Sequence, residues 1–269
     1  MKIISNKKKL LSFLHNEKNL GFVPTMGAIH LGHMSIVKKS ISQCNKTIVS
    51  IFVNEPQFNR EADFKKYPRV IKKDISIIKK LKVDYLFLPK VNQIYPDGPN
   101  KNIKISALGK KLCGKFRPKH FEAVVDVIDR FIKIINPKKI YFGEKDMQQL
   151  KIIQEFIKKK NYNIKIIGCK TVREKNGIPY SSRNNLLSND EREIASRIFY
   201  YLYKNKKNLI RNINYSKKIK NYMYDLGVNK IDYVEIIDIN KFEDQNKKKK
   251  NLRIFIAYYI GSTRLIDNI

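Results

Sequence analysis

The run Pro24-Thr25-Met26-Gly27-Ala28-Ile29-His30-Leu31-Gly32-His33 gathers residue types that handle phosphate. Two imidazoles three residues apart can each donate a hydrogen bond to a phosphate oxygen. Gly27 and Gly32 let backbone pass close to a ligand. The run follows a short apolar strand candidate, Leu20 to Val23, and enters a helical pattern at Met34, Ile36, Val37 and Ile41. Where a glycine turn leads into a helix, N–H groups and the positive end of the helix dipole converge on an anion. The spacing predicts a nucleotide phosphate site at this turn.

Further segments hold groups of the same kind. Asn54 and Gln57 fall just past a second strand candidate, at the edge where open α/β sheets bind ligands. Neutral amides there can take a hydroxyl or carboxylate, or merely cap a turn. Arg117 and His120 stand at a helix start, either in anion-binding position or in a solvated basic turn. In Phe142-Gly143-Glu144-Lys145-Asp146-Met147-Gln148-Gln149, Gly143 permits close approach and Lys145 can neutralise phosphate. Asp146 can accept from a ribose or hold a metal, and Gln149 follows one turn later. The alternative for Glu144, Lys145 and Asp146 is an ordinary helix-start charge cluster. Val172-Arg173-Glu174 and Tyr180-Ser181-Ser182-Arg183-Asn184 offer hydroxyls and guanidinium groups to phosphate. Tyr67 and Asp74 suit substrate or Mg2+, or else are a helix-start tyrosine and a surface acid. No Ser-His-Asp set, Cys-His pair or zinc spacing accompanies them, and His15 reads as a surface residue.

Positioning such groups needs a sheet with loops at one edge. Helix candidates at 7–16, after His33, at 74–81 and at 121–135 alternate with strand candidates at 20–23, 47–53, 84–88, 139–142 and 164–167. Repeated β-α-β order predicts a Rossmann-like parallel sheet wrapped by helices, over residues 1–169. After Gly168 the pattern changes. Ser188-Asn189-Asp190-Glu191 matches a capping box opening a helix through Leu209. A helix from Ser216 to Leu226 and strands Tyr233 to Ile239 and Leu252 to Ile260 follow, so 170–269 is expected to be a smaller α+β domain. The run Lys247-Lys248-Lys249-Lys250 reads as the loop between those strands.

The formal charge is +32, from 56 Lys and Arg against 24 Asp and Glu. Such a charge attracts nucleic acid, yet the lysines are spread through every segment rather than clustered with arginines and aromatics on one face. Compositional drift is the simpler reading, and no specific nucleic-acid partner is expected. No apolar stretch approaches the roughly 20 residues of a membrane span, and no signal peptide is evident. Cys44, Cys113 and Cys169 are odd in number and far apart, which reads as reduced thiols in the cytoplasm.

Together the segments resemble the pantoate–β-alanine ligase family of His-x-Gly-His nucleotidyltransferases. The matching pieces are 24–33, 50–58, Tyr67-Pro68-Arg69, Tyr95-Pro96-Asp97-Gly98, 117–121, 142–150, Val172-Arg173, 181–184 and, near the end, Arg264-Leu265-Ile266-Asp267-Asn268. The resemblance implies that ATP, as its Mg2+ complex, activates pantoate as an enzyme-bound adenylate, and that β-alanine then displaces AMP. It implies catalytic roles for His30, His33 and Lys145. An ATP site would comprise Met26, Gly27, Ala28, Ile29, His30, Leu31, Gly32, His33, Gly143, Glu144, Lys145, Asp146, Val172, Tyr180, Ser181, Ser182 and Arg183. Gln57 and Gln149 would hold pantoate, with Tyr67, Arg117 and His120 as further substrate contacts and Asp74 as the metal candidate. A homodimer, and a second domain closing over the site, are likewise implied. A different His-x-Gly-His nucleotidyltransferase would give no reason for paired glutamines after the Lys-Asp block, and an RNA-binding protein is the rival that the charge suggests.

Four departures from the family pattern stand out. Asn54-Glu55-Pro56-Gln57 replaces Asn-Pro-Met-Gln, which moves the proline and adds a carboxylate beside a site for anions. Lys119 and Ala123 stand where glycines are usual, and Tyr180 where Met or Leu is usual.

Overall fold

β-Branched and aromatic runs become strands in the first half of the chain, and amphipathic stretches between them become helices that cover both faces. The computed structural model describes residues 1–242 and 251–269. In chain order the first part contains β1 (Lys2–Ile4), α1 (Lys7–Leu14), β2 (Leu20–Thr25), α2 (Leu31–Ile41), β3 (Lys46–Ile51) and α3 (Glu61–Lys65). There follow α4 (Ile71–Lys80), β4 (Tyr85–Phe87), α5 (Val91–Ile94), α6 (Cys113–Phe116), α7 (His120–Ile135), β5 (Lys139–Gly143), α8 (Met147–Lys159) and β6 (Lys165–Cys169). The six strands form one sheet in the order β1-β4-β3-β2-β5-β6, and every pair is parallel.

Parallel strands covered on both faces must be apolar throughout. Accordingly Phe22, Ile48, Val49, Leu86, Phe87 and Ile140 are fully buried. The predicted stripe of α7 is buried as well, at Val124, Val127, Ile128, Phe131 and Ile135. Phe131 meets Phe22, Phe52 and Phe87 at centroid distances of 5.3, 6.1 and 6.3 Å. Each such ring contributes roughly 1.5–3 kcal/mol through burial. The placing of β2 and β5 follows from their register, with Gly21 opposite Lys139. Chain order runs outward from β2 through β3 to β4 on one side and from β5 to β6 on the other. The reversal between β2 and β5 is the switch point at which open sheets bind ligands, beyond the strands' carboxyl ends.

The chain divides after Lys170, one residue later than the sequence suggests. The second unit, Thr171–Ile269, holds α9 (Asn189–Arg211), α10 (Tyr215–Asp225), β7 (Lys230–Asp238), β8 (Leu252–Ile260) and β9 (Thr263–Asn268). The capping box closes as expected. The Glu191 amide donates to Ser188 Oγ at 3.1 Å, and the Ser188 amide donates to Glu191 Oε2 at 2.8 Å. The three strands pair antiparallel in the order β7-β8-β9. β9 lies beyond the strands that the sequence pattern suggests. It is joined to β8 by Gly261 (φ +55°) and Ser262, a two-residue hairpin turn whose positive φ suits glycine. β1 also escapes the sequence pattern, because three residues give no readable period. The lysine run 247–250 lies outside the described residues.

Among the described residues no helix is long and apolar enough to cross a membrane. All three cysteines are free thiols.

Candidate active site

Two turns leave the sheet at the switch point, one after β2 and one after β5. The first takes the backbone through the left-handed region at Gly27 (φ +83°) and Ala28 (φ +50°). Gly27 is required twice over, since a Cβ there would lie 2.9 Å from Asp74 Oδ2 and 3.0 Å from Ile51 Cγ2. Ala28 has no such licence, so its conformation costs about 1–2 kcal/mol and has to be held. Thr25 Oγ1 accepts from the Gly27 amide at 3.2 Å while donating to the Ser50 carbonyl at 2.7 Å. Asp74 does the rest. Its two carboxylate oxygens accept from the Ala28 amide at 2.9 Å and the Ile29 amide at 2.8 Å. This departs from the metal-binding expectation. Asp74 is 1% exposed, and its oxygens are taken up by backbone. Among the described residues no group of three His, Cys, Asp or Glu could hold a metal.

The turn delivers His30 to the N-cap of α2 and His33 to its first turn. The rings stack, with centroids 3.9 Å apart, and the His30 amide donates to His33 Nδ1 at 3.4 Å. That contact makes Nδ1 an acceptor, so neutral His33 carries its proton on Nε2. Burial pushes the His30 pKa down to about 4, helped by the Lys145 ammonium. It pushes His33 down to about 3, helped by His30 and then Lys145. Both residues retain some accessible surface, but burial leaves a charged ring poorly solvated. At neutral pH the site therefore presents two uncharged N–H donors at a helix N-terminus, beside one fixed cation. That is a receptor for a polyanion.

Lys145 comes from the second turn, Glu144–Asp146, between β5 and α8. Its ammonium lies 3.5 Å from Asp146 Oδ1, with 17% of the lysine side chain exposed against 47% of the aspartate's. On α8 the two glutamines divide their labour. Gln148 is buried and saturated: it accepts from the Cys113 amide at 3.0 Å and donates to the Leu108 and Lys111 carbonyls at 2.8 and 2.7 Å. Gln149 is half-buried, and its amide makes no hydrogen bond among the described residues. It keeps its full capacity for a ligand.

Past β3, the turn Glu55–Gln57 brings a third group to the same edge. Gln57 Nε2 approaches Met26 Sδ at 3.1 Å, which ties this turn to the histidine turn. The backbone carbonyl of Gln57 accepts from His120 Nδ1 at 2.8 Å and Arg117 Nη2 at 3.3 Å. His120, expected to touch substrate, is 6% exposed, and its Nδ1 grips this carbonyl. Tyr67 lies near the same loop, edge-on to Phe58 at 5.6 Å. Sequence reasoning offers Asn54 only a turn-capping or ligand role. It is 1% exposed and bonded to Gln57.

The second unit carries the remaining predicted residues. Arg173 and Pro179 bridge across a tight turn at Gly177 (φ +84°). Asn184 is buried, donating to Glu174 Oε1 at 2.7 Å and the Pro179 carbonyl at 3.0 Å. It fixes the short helical turn that starts with Ser182, where Ser181 Oγ accepts from the Arg183 amide at 3.3 Å. Ser181, Ser182, Arg183 and Tyr180 are thus placed on one braced loop. Arg173 is structural: it forms a two-pronged pair with Asp267 at 2.7 and 2.9 Å and stacks on Phe199 at 4.4 Å. The C-terminal signature is explained the same way. Arg264 pairs with Asp232 at 2.8 Å, and the Asn268 side chain accepts from Arg253 at 2.8 Å.

Comparison with known proteins decides what this arrangement belongs to. The family model described as pantoate–β-alanine ligase matches residues 2–269. The chain belongs to the pantoate–β-alanine ligase family. A pantothenate synthetase of Sulfurihydrogenibium sp. (strain YO3AOP1) is 41% identical, with 100% of this chain and 99% of that one covered. A crystal structure of a Francisella tularensis pantoate–β-alanine ligase, complexed with β-γ ATP and β-alanine, is 38% identical with a TM-score of 0.83. It covers 100% of this chain and 97% of its own. The pantothenate synthetase of Thermus thermophilus has a TM-score of 0.91 at 29% identity, covering 100% and 99%.

Two of the four departures have a local explanation. Lys119 has φ +60°, which is why glycine suits that position; here a lysine carries the strain. The shifted proline stays inside the 55–57 turn, whose helical φ it tolerates at either early position. Glu55 is exposed.

Proposed function

We infer that this chain condenses pantoate with β-alanine while consuming ATP, forming a pantoyl adenylate and releasing pyrophosphate and then AMP. The observation that carries this reading is the pair of neutral, stacked histidines beside Lys145 at the switch point, in a chain of the pantoate–β-alanine ligase family. Attack of the pantoate carboxylate on the α-phosphorus needs no base, because the nucleophile is already anionic. It does need the growing negative charge on phosphorus-bound oxygens met by fixed donors. His33 Nε2–H, His30 and Lys145 supply them. The residues 26–33 and 143–146 cradle the nucleotide, and Gln57 and Gln149 hold pantoate, with Tyr67 and Arg117 in support. In the second step the amine of β-alanine attacks the acyl carbon, AMP leaves, and the amine loses a proton. Val172, Tyr180, Ser181, Ser182 and Arg183 are the further residues that the family resemblance assigns to ATP.

ATP enters as its Mg2+ complex, the ion carried mainly by the phosphates and water, as suits a cation that dehydrates reluctantly. The enzyme acts as a cytoplasmic homodimer, which light scattering of the purified chain tests. The decisive assay is AMP release from ATP and Mg2+ with pantoate, with and without β-alanine. Turnover to AMP only with all components present supports the reading. ATP binding without turnover points to another acceptor.

A further inference from the structure

The motif Tyr95-Pro96-Asp97-Gly98 matches the family but has no obvious chemistry, and Gln57 has a property the reaction alone does not explain. A primary amide can face a ligand with either its oxygen or its NH2, and the two ends recognise opposite groups. The surroundings of Gln57 decide which.

The decision starts at a backbone carbonyl on α7. The Ala123 oxygen can only accept, and it lies 3.3 Å from Asn54 Nδ2. Asn54 must therefore turn its NH2 toward Ala123 and its oxygen away. That same NH2 reaches Gln57 Oε1 at 3.1 Å, so Gln57 must give its oxygen to Asn54. Its own NH2 is left pointing toward Met26, whose thioether is only a weak acceptor. The other end of Asn54 is closed by Tyr95, whose hydroxyl donates to Asn54 Oδ1 at 2.6 Å. Burial holds the Tyr95 phenol protonated far above neutral pH, and the ring is 7% exposed.

Tyr95 is itself bolted down. Arg130 stacks over its ring at 4.6 Å. The same guanidinium donates to the Ile94 carbonyl at 2.8 Å and the Gly98 carbonyl at 2.9 Å, and it pairs with Asp126 at 2.8 Å. Asp126 in turn accepts from the Asn100 amide at 2.9 Å. The loop from Tyr95 to Asn100 is thus fastened to the helix that supplies the Ala123 carbonyl.

We propose that Tyr95 is a positioning residue: through Asn54 it locks the Gln57 amide with its NH2 toward the substrate, so that this subsite accepts a carboxylate or hydroxyl oxygen and rejects a donor. The assignment of pantoate to Gln57 rests on the proposed function; the hydrogen-bond chain does not. Tyr95→Phe removes one hydroxyl and leaves the packing. It is expected to raise KM for pantoate about fivefold to tenfold, the worth of one buried hydrogen bond, while kcat and KM for ATP stay within about twofold. Asn54→Asp is the sharper variant. Its carboxylate cannot donate, so Gln57 turns its NH2 inward and shows its oxygen to the substrate; pantoate KM rises further than in Tyr95→Phe. Equal rises in both KM values for Tyr95→Phe, or wild-type pantoate binding by Asn54→Asp, would overturn the proposal. If the wild-type chain releases no AMP with pantoate, the functional reading falls and the chain of hydrogen bonds is still decided by NMR of the free enzyme. The Asn54 side-chain amide protons, assigned by their loss in Asn54→Asp, should exchange slowly in wild type and markedly faster in Tyr95→Phe. Unchanged exchange refutes the hydrogen-bond chain itself.

Discussion

Replacing Asp74 by asparagine separates a carboxylate that holds backbone from one that holds metal. Asp74 lies in the first turn of α4, and its two oxygens accept from consecutive amides 45 and 46 residues earlier, at 2.8 and 2.9 Å. Asparagine has the same shape but one acceptor. Whichever way it turns, one amide faces an NH2, so one bond is lost and two donors oppose each other. A hydrogen bond to a charged group contributes about 1.5–3 kcal/mol, and an unsatisfied buried donor adds to the loss, which sets the cost at about 2–4 kcal/mol. At about 2–4 °C per kcal/mol for domains of this size, the melting temperature of the first unit should fall by about 5–15 °C. The turn it releases contains the strained Ala28 and leads directly into His30, so kcat/KM for AMP formation should also fall at least about tenfold, as expected for a misplaced donor. Calorimetry and the AMP assay, run across a Mg2+ titration, check both. An Asp74→Asn protein that melts like wild type and recovers its rate in excess Mg2+ would show that the carboxylate serves the metal and that the backbone argument is mistaken.

Other expectations follow from single groups. The folded His33 pKa of about 3 lies below the ordinary histidine value of 6.5, so the unfolded chain takes up the proton first as pH falls. That contribution to stability is complete above about pH 7 and fades below 6.5, at up to about 1.4 kcal/mol per pH unit. His33→Gln should flatten the fall in urea stability between about pH 6 and 4; an unchanged profile contradicts the burial argument. Lys119→Gly relieves a left-handed conformation and should stabilise by about 0.5–1 kcal/mol, read as a small rise in melting temperature with unaltered kinetics. Arg173→Lys keeps the charge but loses the two-pronged pair with Asp267 and the stack on Phe199. It should destabilise the second unit by about 1–3 kcal/mol. A shift in KM for ATP without loss of stability would instead make Arg173 a nucleotide contact.

The parallel sheet was legible because its strands are short β-branched runs and its helices carry one apolar stripe, as 121–135 shows. The histidine and lysine turns were legible because glycine and imidazole at a strand end have few other uses. What escaped was set by partners far along the chain. Nothing near Asp74 distinguishes a metal ligand from a cap for amides at 28 and 29. Tyr95, Asn54 and Arg130 form one network from residues 41 and 35 positions apart, and no local period records it. β9 was hidden because its alternation of buried Thr263, Leu265 and Asp267 includes a buried acid. That acid makes sense only once Arg173, 94 residues earlier, is seen to meet it.

A consistent division runs through these groups and separates residues that hold from residues that read. Holders have every polar atom answered by protein: Asp74 by two amides, Gln148 by an amide and two carbonyls. Readers keep a donor in hand: Gln149 its whole amide, Gln57 an NH2 set only against sulfur, His33 its Nε2 proton. The two kinds lie within three residues of each other, as Gln148 and Gln149 or Asn54 and Gln57, so the presence of a side-chain amide cannot tell them apart. Saturation can. A buried polar group left half-answered destabilises the fold unless a ligand completes it. On the proposed function, the donors kept open at Gln57, Gln149 and His33 are where substrate binding completes what folding left open.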